Sequence, residues 1–282
     1  MKREEIRMYY GDPGRKDYSM WAVANRGIIP IYTQKGILSD EILYGMEAEL
    51  SNETSGGFCY IRTEYGYEGY ARTEAFVPCK GETGTQMTVK QAYADILKEP
   101  HVRGRRILSV PRGARVEILQ EVENGYRKLL LYDGTTGYMK ESYLTEFFEE
   151  PFSQEECEIR ERVVQNAMQY RDVQYRYGGK TPLGIDCSGL TFMAYYLCGI
   201  VIYRDAKIMP EFPVHPIARE DAKPGDLIYY DGHVTMYLGE GKYIHATGHT
   251  GSDRVVINSL NRNDICYRED LTHGIVAFAS VF

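Results

Sequence analysis

Two periodicities divide this chain. Over its first half, apolar and polar positions alternate in short runs such as VEILQEV and YRKLLLY, separated by Gly, Asp and Asn. A period of two between frequent turn residues predicts short β-strands. Further on the period lengthens, and Ile159, Val163, Ala167 and Tyr170 recur at helical spacing through about Arg171. Ser153 and Glu156 stand ahead of them as an S-x-x-E capping box. Ser188 to Cys198 predicts a second helix, with Gly199 at the C-cap position. Strands are then predicted at DLIYYD (226–231), HVTMYLG (233–239), KYIHA (242–246), RVVIN (254–258) and GIVAFASV (274–281). Helices followed by antiparallel strands make an α+β layout.

The strand-rich half repeats itself. GYARTEAF (69–76) aligns without a gap on GYMKESYL (137–144), an offset of 68 residues. At the same offset Tyr44-Gly45 matches Arg112-Gly113, and Glu49-Leu50 matches Glu117-Ile118. Coincident matches at one spacing argue for internal duplication. The reading is two small β barrels of roughly 55 residues each, near the lower limit for independent folding. TEFFEEPFSQEE (145–156) turns acidic, contains Pro151 and reads as a linker. The expected domains are a first barrel over 1–80, a second over 81–147 and an α+β domain over 152–282.

Composition narrows the partners. With 43% hydrophobic and 26% charged residues the chain is ordinary for a globular protein, and a net charge of −7 leaves no basic footprint for nucleic acid or an anionic membrane. Tyrosine is abundant, 25 copies against one Trp and 9 Phe. It suits small barrels and polar clefts alike. The six cysteines (59, 79, 157, 187, 198, 266) form no C-x-x-C pair and no zinc-finger spacing, so free thiols in a reducing compartment are expected. The start, MKREEIRMYYGDPG, lacks an apolar core of signal-peptide length, and no run approaches a membrane span. A cytosolic protein is expected, or a secreted one if a leader has been removed.

The chemistry centres on GIDCSGL (184–190). A thiol attacks a carbonyl at neutral pH only with a lowered pKa or an adjacent base. A helix start at Cys187 favours the thiolate through the macrodipole, and its N–H groups can hold an oxyanion. Gly189 lets the chain and a substrate approach closely. Six histidines are available as the base; His233 opens one strand and His245 lies in the next. With a tight hairpin at GEGK (239–242), a gapless pairing puts 245 near 236, roughly 10 Å along the strand from 233. Twist, a bulge or a register shift must bring the imidazoles together for a Cys–His pair oriented by a third polar group. Taken alone, Cys187 before an apolar run reads more readily as a buried core residue than as a nucleophile, and Cys198, on the same helical face, reads as core. His101, His215, His249 and His273 lie in turn-like surroundings and are expected at the surface. A zinc site from Cys187, His233 and His245 is chemically possible, but no short ligand spacing supports it, and neither metal nor cofactor is expected.

YRYGGKTPLGIDCSGL followed by PGDLIYYDGHVTMYLGEGKYIHA closely resembles the NlpC family of papain-like peptidoglycan endopeptidases. The D-C-S-G motif, the G-H-V-x-x-Y-x-G strand and the I-H-A strand occur in order, and the likeness covers about residues 152–282. It implies a papain-like α+β cysteine peptidase domain with Cys187 as nucleophile, His233 as base and His245 orienting it. The first half resembles the SH3-like barrels that accompany such domains. Together they resemble the γ-D-glutamyl-L-diamino acid endopeptidases of murein-peptide recycling. In that subgroup Tyr175, Asp186 and Ser188 would line the cleft, Tyr177 would form an aromatic wall where the family usually has Trp, and Asp205 of RDA would meet the free α-amine of the stem's L-Ala. Met209 stands where the family often has glutamine. Tyr67, in place of Thr135 in the second copy, would block longer glycan-linked stems, with Glu41 and Glu47 as candidate carboxylates beside it. The implied partners are murein stem peptides with a free N-terminal L-Ala, the diamino acid being Lys or diaminopimelate. Two other functions fit the same residues: a secreted hydrolase of intact wall with the barrels as targeting modules, and a catalytically silent cell-wall-peptide binder.

Overall fold

The computed structural model describes residues 18–79 and 84–282. Its contacts divide the chain into two compact units, one ending at Phe147 and one running over Phe148–Phe282. The first holds β1 (Tyr18–Ala24), β2 (Ile28–Tyr32), β3 (Leu38–Leu43), β4 (Glu47–Ser55), β5 (Phe58–Thr63), β6 (Glu68–Arg72) and β7 (Phe76–Pro78). It continues with β8 (Thr85–Val89), β9 (Tyr93–Leu97), β10 (Arg106–Pro111), β11 (Arg115–Glu123), β12 (Tyr126–Leu130), β13 (Thr136–Lys140) and β14 (Leu144–Glu146). They form two seven-stranded sheets, β3-β2-β6-β5-β4-β1-β7 and β10-β9-β13-β12-β11-β8-β14. The second order is the first with every strand advanced by seven, and from β3 onward each strand begins 68 residues before its counterpart. The repeat is therefore a repeat of topology. Its glycines have a physical reason: Gly45 and Gly113 sit at φ +81° and +88°, where a side chain is strained.

The two sheets of this unit share an interior. Tyr44, from the end of β3, is buried in the core of the second sheet among Val110, Val116 and Leu129, with its ring 5.2 Å from that of Tyr132. The Arg115 amide donates to the Tyr44 carbonyl at 2.8 Å, and the Arg115 guanidinium forms a buried ion pair with Glu64. A Cβ on Gly45 would collide with the Arg115 carbonyl, so the same residue supplies both the turn and the close approach.

The second unit opens with α1 (Glu156–Met168) and α2 (Cys187–Tyr196), which pack together, and a ribbon of β15 (Lys180–Thr181) and β16 (Gly184–Ile185) between them in sequence. A six-stranded sheet follows from β17 (His215–Ile217), β18 (Leu227–Tyr230), β19 (His233–Gly239), β20 (Lys242–Thr247), β21 (Arg254–Ser259) and β22 (Ile275–Ser280), in the order β17-β22-β18-β19-β20-β21. Every pairing within it is antiparallel. Helix α2 lies against β19 and β20. Arg160 ties α1 to the sheet through Asp226 at 2.8 Å and the Pro224 carbonyl at 3.0 Å, and the Asn166 amide holds the Ala194 carbonyl of α2 at 3.0 Å.

One local expectation fails. Helix α1 begins at Glu156 with Glu155 as N-cap, and no side chain caps it. The Ser153 hydroxyl is drawn instead to the Glu155 amide at 3.0 Å and the Glu158 carboxylate at 2.6 Å, so the S-x-x-E box does not form. The predicted strands of this unit all appear; β17, the β15–β16 ribbon and the short helix α3 (Glu269–His273) carry too few periodic residues to be read from sequence. Among the described residues no helix is long and apolar enough to cross a membrane.

Because Tyr44 belongs to the first copy and fills the core of the second, Tyr44→Ala is expected to destabilise the whole first unit by about 3–5 kcal/mol. Urea unfolding followed by near-UV circular dichroism checks this. Loss of signal from one sheet alone would contradict the shared interior.

Candidate active site

Cys187 is the first residue of α2. Asp186 caps the helix in extended backbone, its Oδ1 accepting the Gly189 amide at 2.6 Å, while its carbonyl accepts the Leu190 amide at 3.0 Å. The Leu190 bond is the first within the helix; of the four amides ahead of it, that of Asp186 donates to the Gly179 carbonyl at 3.0 Å and that of Gly189 is capped. The amides of Cys187 and Ser188 stay beside the sulfur, and that of Ser188 favours the thiolate. Gly189 is required by the chain rather than by open space: a Cβ there would collide with the Gly179 carbonyl and stand 3.0 Å from Asp186 Oδ1. The Val234 amide, next to His233 on β19, also reaches the sulfur and favours its thiolate form, which puts the thiol against the histidine-bearing strand.

The two histidines are brought together by one bulge. Glu240 and Gly241 both have positive φ, +51° and +75°, and form a two-residue hairpin loop closed by the Gly239–Lys242 pair. Between that pair and Tyr237–Tyr243 the register shifts, leaving Leu238 as the extra residue. Met236 consequently faces Ile244, and continuing the register places position 245 opposite 235. Without the bulge it would face 236 and point to the other side of the sheet, because a one-residue slip reverses every side chain. With it, His233 and His245 are diagonal neighbours on one face. Their rings lie 5.1 Å apart at a steep angle, and His233 Nε2 is 2.8 Å from His245 Nδ1.

The relay extends one strand further. On β21 Val256 pairs with His245, so Asn258 is again the diagonal neighbour on the same face. Its Oδ1 lies 2.9 Å from His245 Nε2, and its amide nitrogen donates to the Cys266 carbonyl at 2.8 Å. That carbonyl fixes which way the Asn258 amide points. The oxygen then accepts the hydrogen bond of His245 Nε2–H, His245 Nδ1 accepts that of His233 Nε2–H, and His233 Nδ1 is left with the lone pair. Every tautomer follows from one backbone carbonyl.

Burial keeps both partners neutral at rest. His245 is fully buried. Desolvation pulls His233 down to about 4 and His245 down to about 3, with the neighbouring imidazole and the Arg268 cation adding to the latter. Desolvation, then the Asp186 charge, push the Cys187 thiol up to about 11, against the pull of Arg204 and the two amides. At rest the thiol is protonated and both imidazoles are neutral, so a nucleophilic Cys187 would have to be generated by proton transfer to a base rather than stand as a thiolate.

The comparisons decide what this arrangement belongs to. The NlpC/P60 family model matches residues 172–270, a span that contains Cys187, both histidines and Asn258. A dipeptidyl-peptidase 6 from Lysinibacillus sphaericus is 38% identical over 257 residues, covering 87% of this chain and 92% of that protein. The chain belongs to the NlpC/P60 family. A gamma-D-glutamyl-L-lysine dipeptidyl-peptidase from Bacillus cereus is 27% identical over 207 residues, 66% of this chain and 58% of that protein. The crystal structure of an NlpC/P60 family protein from Bacillus cereus ATCC 10987 shares the fold with a TM-score of 0.75 at 19% identity, covering 92% of this chain and 98% of that one. Peptidase activity directed at peptidoglycan is the family's chemistry, and this chain carries it as an NlpC/P60 peptidase.

The remaining residues singled out from the NlpC resemblance divide by position. Tyr175 is half-buried beside the sulfur: burial first, then the charges of Cys187 and Asp186, raise its hydroxyl well above the tyrosine range. Its ring packs on Gly248, where a Cβ would stand 3.0 Å away. Tyr177 is 64% exposed on the same loop. Asp186 and Ser188 are both buried in the cap of α2. Asp205 is half-buried, and Met209 lies nearby in sequence in the same condition. In the first unit Tyr67 is half-buried, donating its hydroxyl to the Ser39 carbonyl at 3.2 Å; Glu41 is buried and Glu47 half-buried.

Two residues escaped sequence reasoning. Asn258 reads only as the polar end of RVVIN, since its part in the relay comes from the register across three strands. Arg204 sits one residue before Asp205 in RDA and is 2% exposed, with Nη1 3.1 Å from Asp186 Oδ1.

Two outcomes are expected. Asn258→Ala frees His245 to turn and adopt the wrong tautomer, lowering kcat by about 10- to 100-fold with KM little changed. Steady-state kinetics on a cleaved peptide check this. Second, the acid limb of the kcat/KM profile falls well below the roughly 6.5 of a solvated imidazole, because a base held near 4 stays neutral at pH 5. Linkage has the same sign: both folded values lie below the unfolded one, so the unfolded chain protonates first and stability drops as pH falls from roughly 6.5 toward 4. A limb at or above 6.5 would contradict a desolvated relay.

Proposed function

We propose that the chain is a cysteine peptidase cutting the bond between γ-D-Glu and the L-diamino acid of free murein stem peptides, with release of L-Ala-D-Glu. The observation that carries the reading is the His233–His245–Asn258 relay on the strand whose Val234 amide meets a helix-start thiol. The activity for which the Bacillus cereus relative is named supports the choice of bond. The Cys187 sulfur attacks the γ-carbonyl carbon as its proton passes to His233 Nδ1. The amides at the start of α2 hold the oxyanion. The same proton then goes to the leaving diamino-acid nitrogen as the amide bond breaks, leaving a thioester. A water molecule gives a proton to His233 and attacks that thioester, restoring the thiol.

In this reading Asp205 pairs with the free α-amine of L-Ala, and Tyr175 and Tyr177 line the approach to the sulfur. The first unit is a pair of SH3-like barrels. The site of action is the cytosol, on peptides returned from the wall, and the chemistry calls on no metal or cofactor.

The test is a paired assay. L-Ala-γ-D-Glu-L-Lys and its diaminopimelate analogue are expected to be cleaved, their N-acetylated forms at least about 100-fold more slowly, since acetylation removes the charge and the donors that Asp205 would pair with. Cys187→Ala is expected to be inactive on all of them. Equal rates on free and acetylated peptides would remove the role in trimming free peptides, and turnover by Cys187→Ala would remove the cysteine mechanism.

A further inference from the structure

Three stretches of chain meet behind the nucleophile. One guanidinium joins the turn at Gly178–Gly179, the helix start at Asp186–Gly189 and the coil at Arg204. Arg204 Nη1 donates to Asp186 Oδ1 at 3.1 Å and to Ser188 Oγ at 2.9 Å, while Nη2 donates to the Gly179 carbonyl at 3.2 Å and to Asp186 Oδ2 at 3.3 Å. The Gly178 amide donates to Asp186 Oδ2 at 2.7 Å, and the Asp186 amide returns to the Gly179 carbonyl at 3.0 Å. Asp186, Ser188 and Arg204 are all buried.

This arrangement answers a difficulty in the site. Asp186 is required as the cap that starts α2 at the nucleophile, yet an ionised carboxylate one residue from a buried thiol opposes thiolate formation. A buried carboxylate without a cation is strongly unfavourable. A lysine would supply charge, but not two donor edges aimed at both carboxylate oxygens, a hydroxyl and a carbonyl at once. We propose that Arg204 is a positioning residue for the nucleophile: its planar fork clamps the first turn of α2 against the Gly178–Gly179 turn and offsets the Asp186 charge beside the sulfur. Ser188 then acts in the clamp rather than on substrate. Asp205, the next residue, is held at fixed backbone distance from it, so the segment proposed to read the substrate's amine is anchored on the nucleophile's own helix.

The inference rests on Cys187 being the nucleophile, and its first readout needs no substrate. In the full chain, the pH dependence of iodoacetamide alkylation is followed by mass spectrometry at the Cys187 peptide, separately from the exposed Cys157. Arg204→Met is expected to move the alkylation midpoint upward by about one pH unit and to lower kcat about tenfold or more. Asp186→Asn combined with Arg204→Met removes both charges while keeping a capping side chain, and is expected to return the midpoint close to wild type. An unshifted midpoint in Arg204→Met, or a double variant as shifted as the single one, overturns the proposal. If Arg204→Met loses the native circular dichroism spectrum, Arg204→Lys and the double variant decide. The lysine is expected to keep the midpoint but lose about tenfold in kcat for want of the fork, and wild-type kcat there overturns it. Failure of the wild type to cut the tripeptides would instead count against the proposed substrate and leave the alkylation results standing.

Discussion

The site depends on the parity of one hairpin. Side chains alternate across a strand with a period of two, so the imidazoles of β19 and β20 share a face only if the count of residues between them has the right parity. Leu238, the extra residue in the register, corrects that parity, and the positive φ angles of Glu240 and Gly241 close the loop tightly enough to hold it. Once His245 faces His233, the next strand needs no further device. Regular pairing carries the diagonal on to Asn258, and the Cys266 carbonyl fixes the amide. A loop feature thus sets the tautomer of a base on a neighbouring strand.

Burial is the second constraint, and it acts in both directions. Removing the relay from water fixes its geometry and strengthens its hydrogen bonds, but holds the imidazoles neutral and the thiol protonated. The helix start answers part of this with amides aimed at the sulfur, at the cost of an acidic cap beside it. Arg204 is the counterweight to that cap. Capping, oxyanion donation and charge compensation all fall within one turn of helix. This is why D-C-S-G tolerates no larger residue at Gly189, where the Gly179 carbonyl and the guanidinium leave no room.

Much of this is legible in the sequence, and the exceptions have a common cause. Strands and helices announce themselves through period, and the duplicated half showed its offset because turn glycines at Gly45 and Gly113 must be kept for φ. Cys187, His233 and His245 stood out by residue type and order. Asn258 and Arg204 did not, since neither breaks a local pattern; one is defined by register, the other by a turn of chain that closes behind Cys187. The S-x-x-E box at Ser153 was legible and misleading, because a competing carboxylate at Glu158 took the hydroxyl. The spacing of His233 and His245 demands a bulge or a register shift, but no sequence signal places it at Leu238.

The central claim is that Cys187, served by this relay, forms a covalent acyl intermediate. Mass spectrometry of the enzyme acid-quenched during turnover of L-Ala-γ-D-Glu-L-Lys tests it most directly. The account predicts an added L-Ala-D-Glu acyl group on the peptide that contains Cys187 and on no other cysteine. Steady turnover with no adduct at Cys187, under conditions where deacylation limits the rate, would contradict it, as would an adduct on any of the other five thiols.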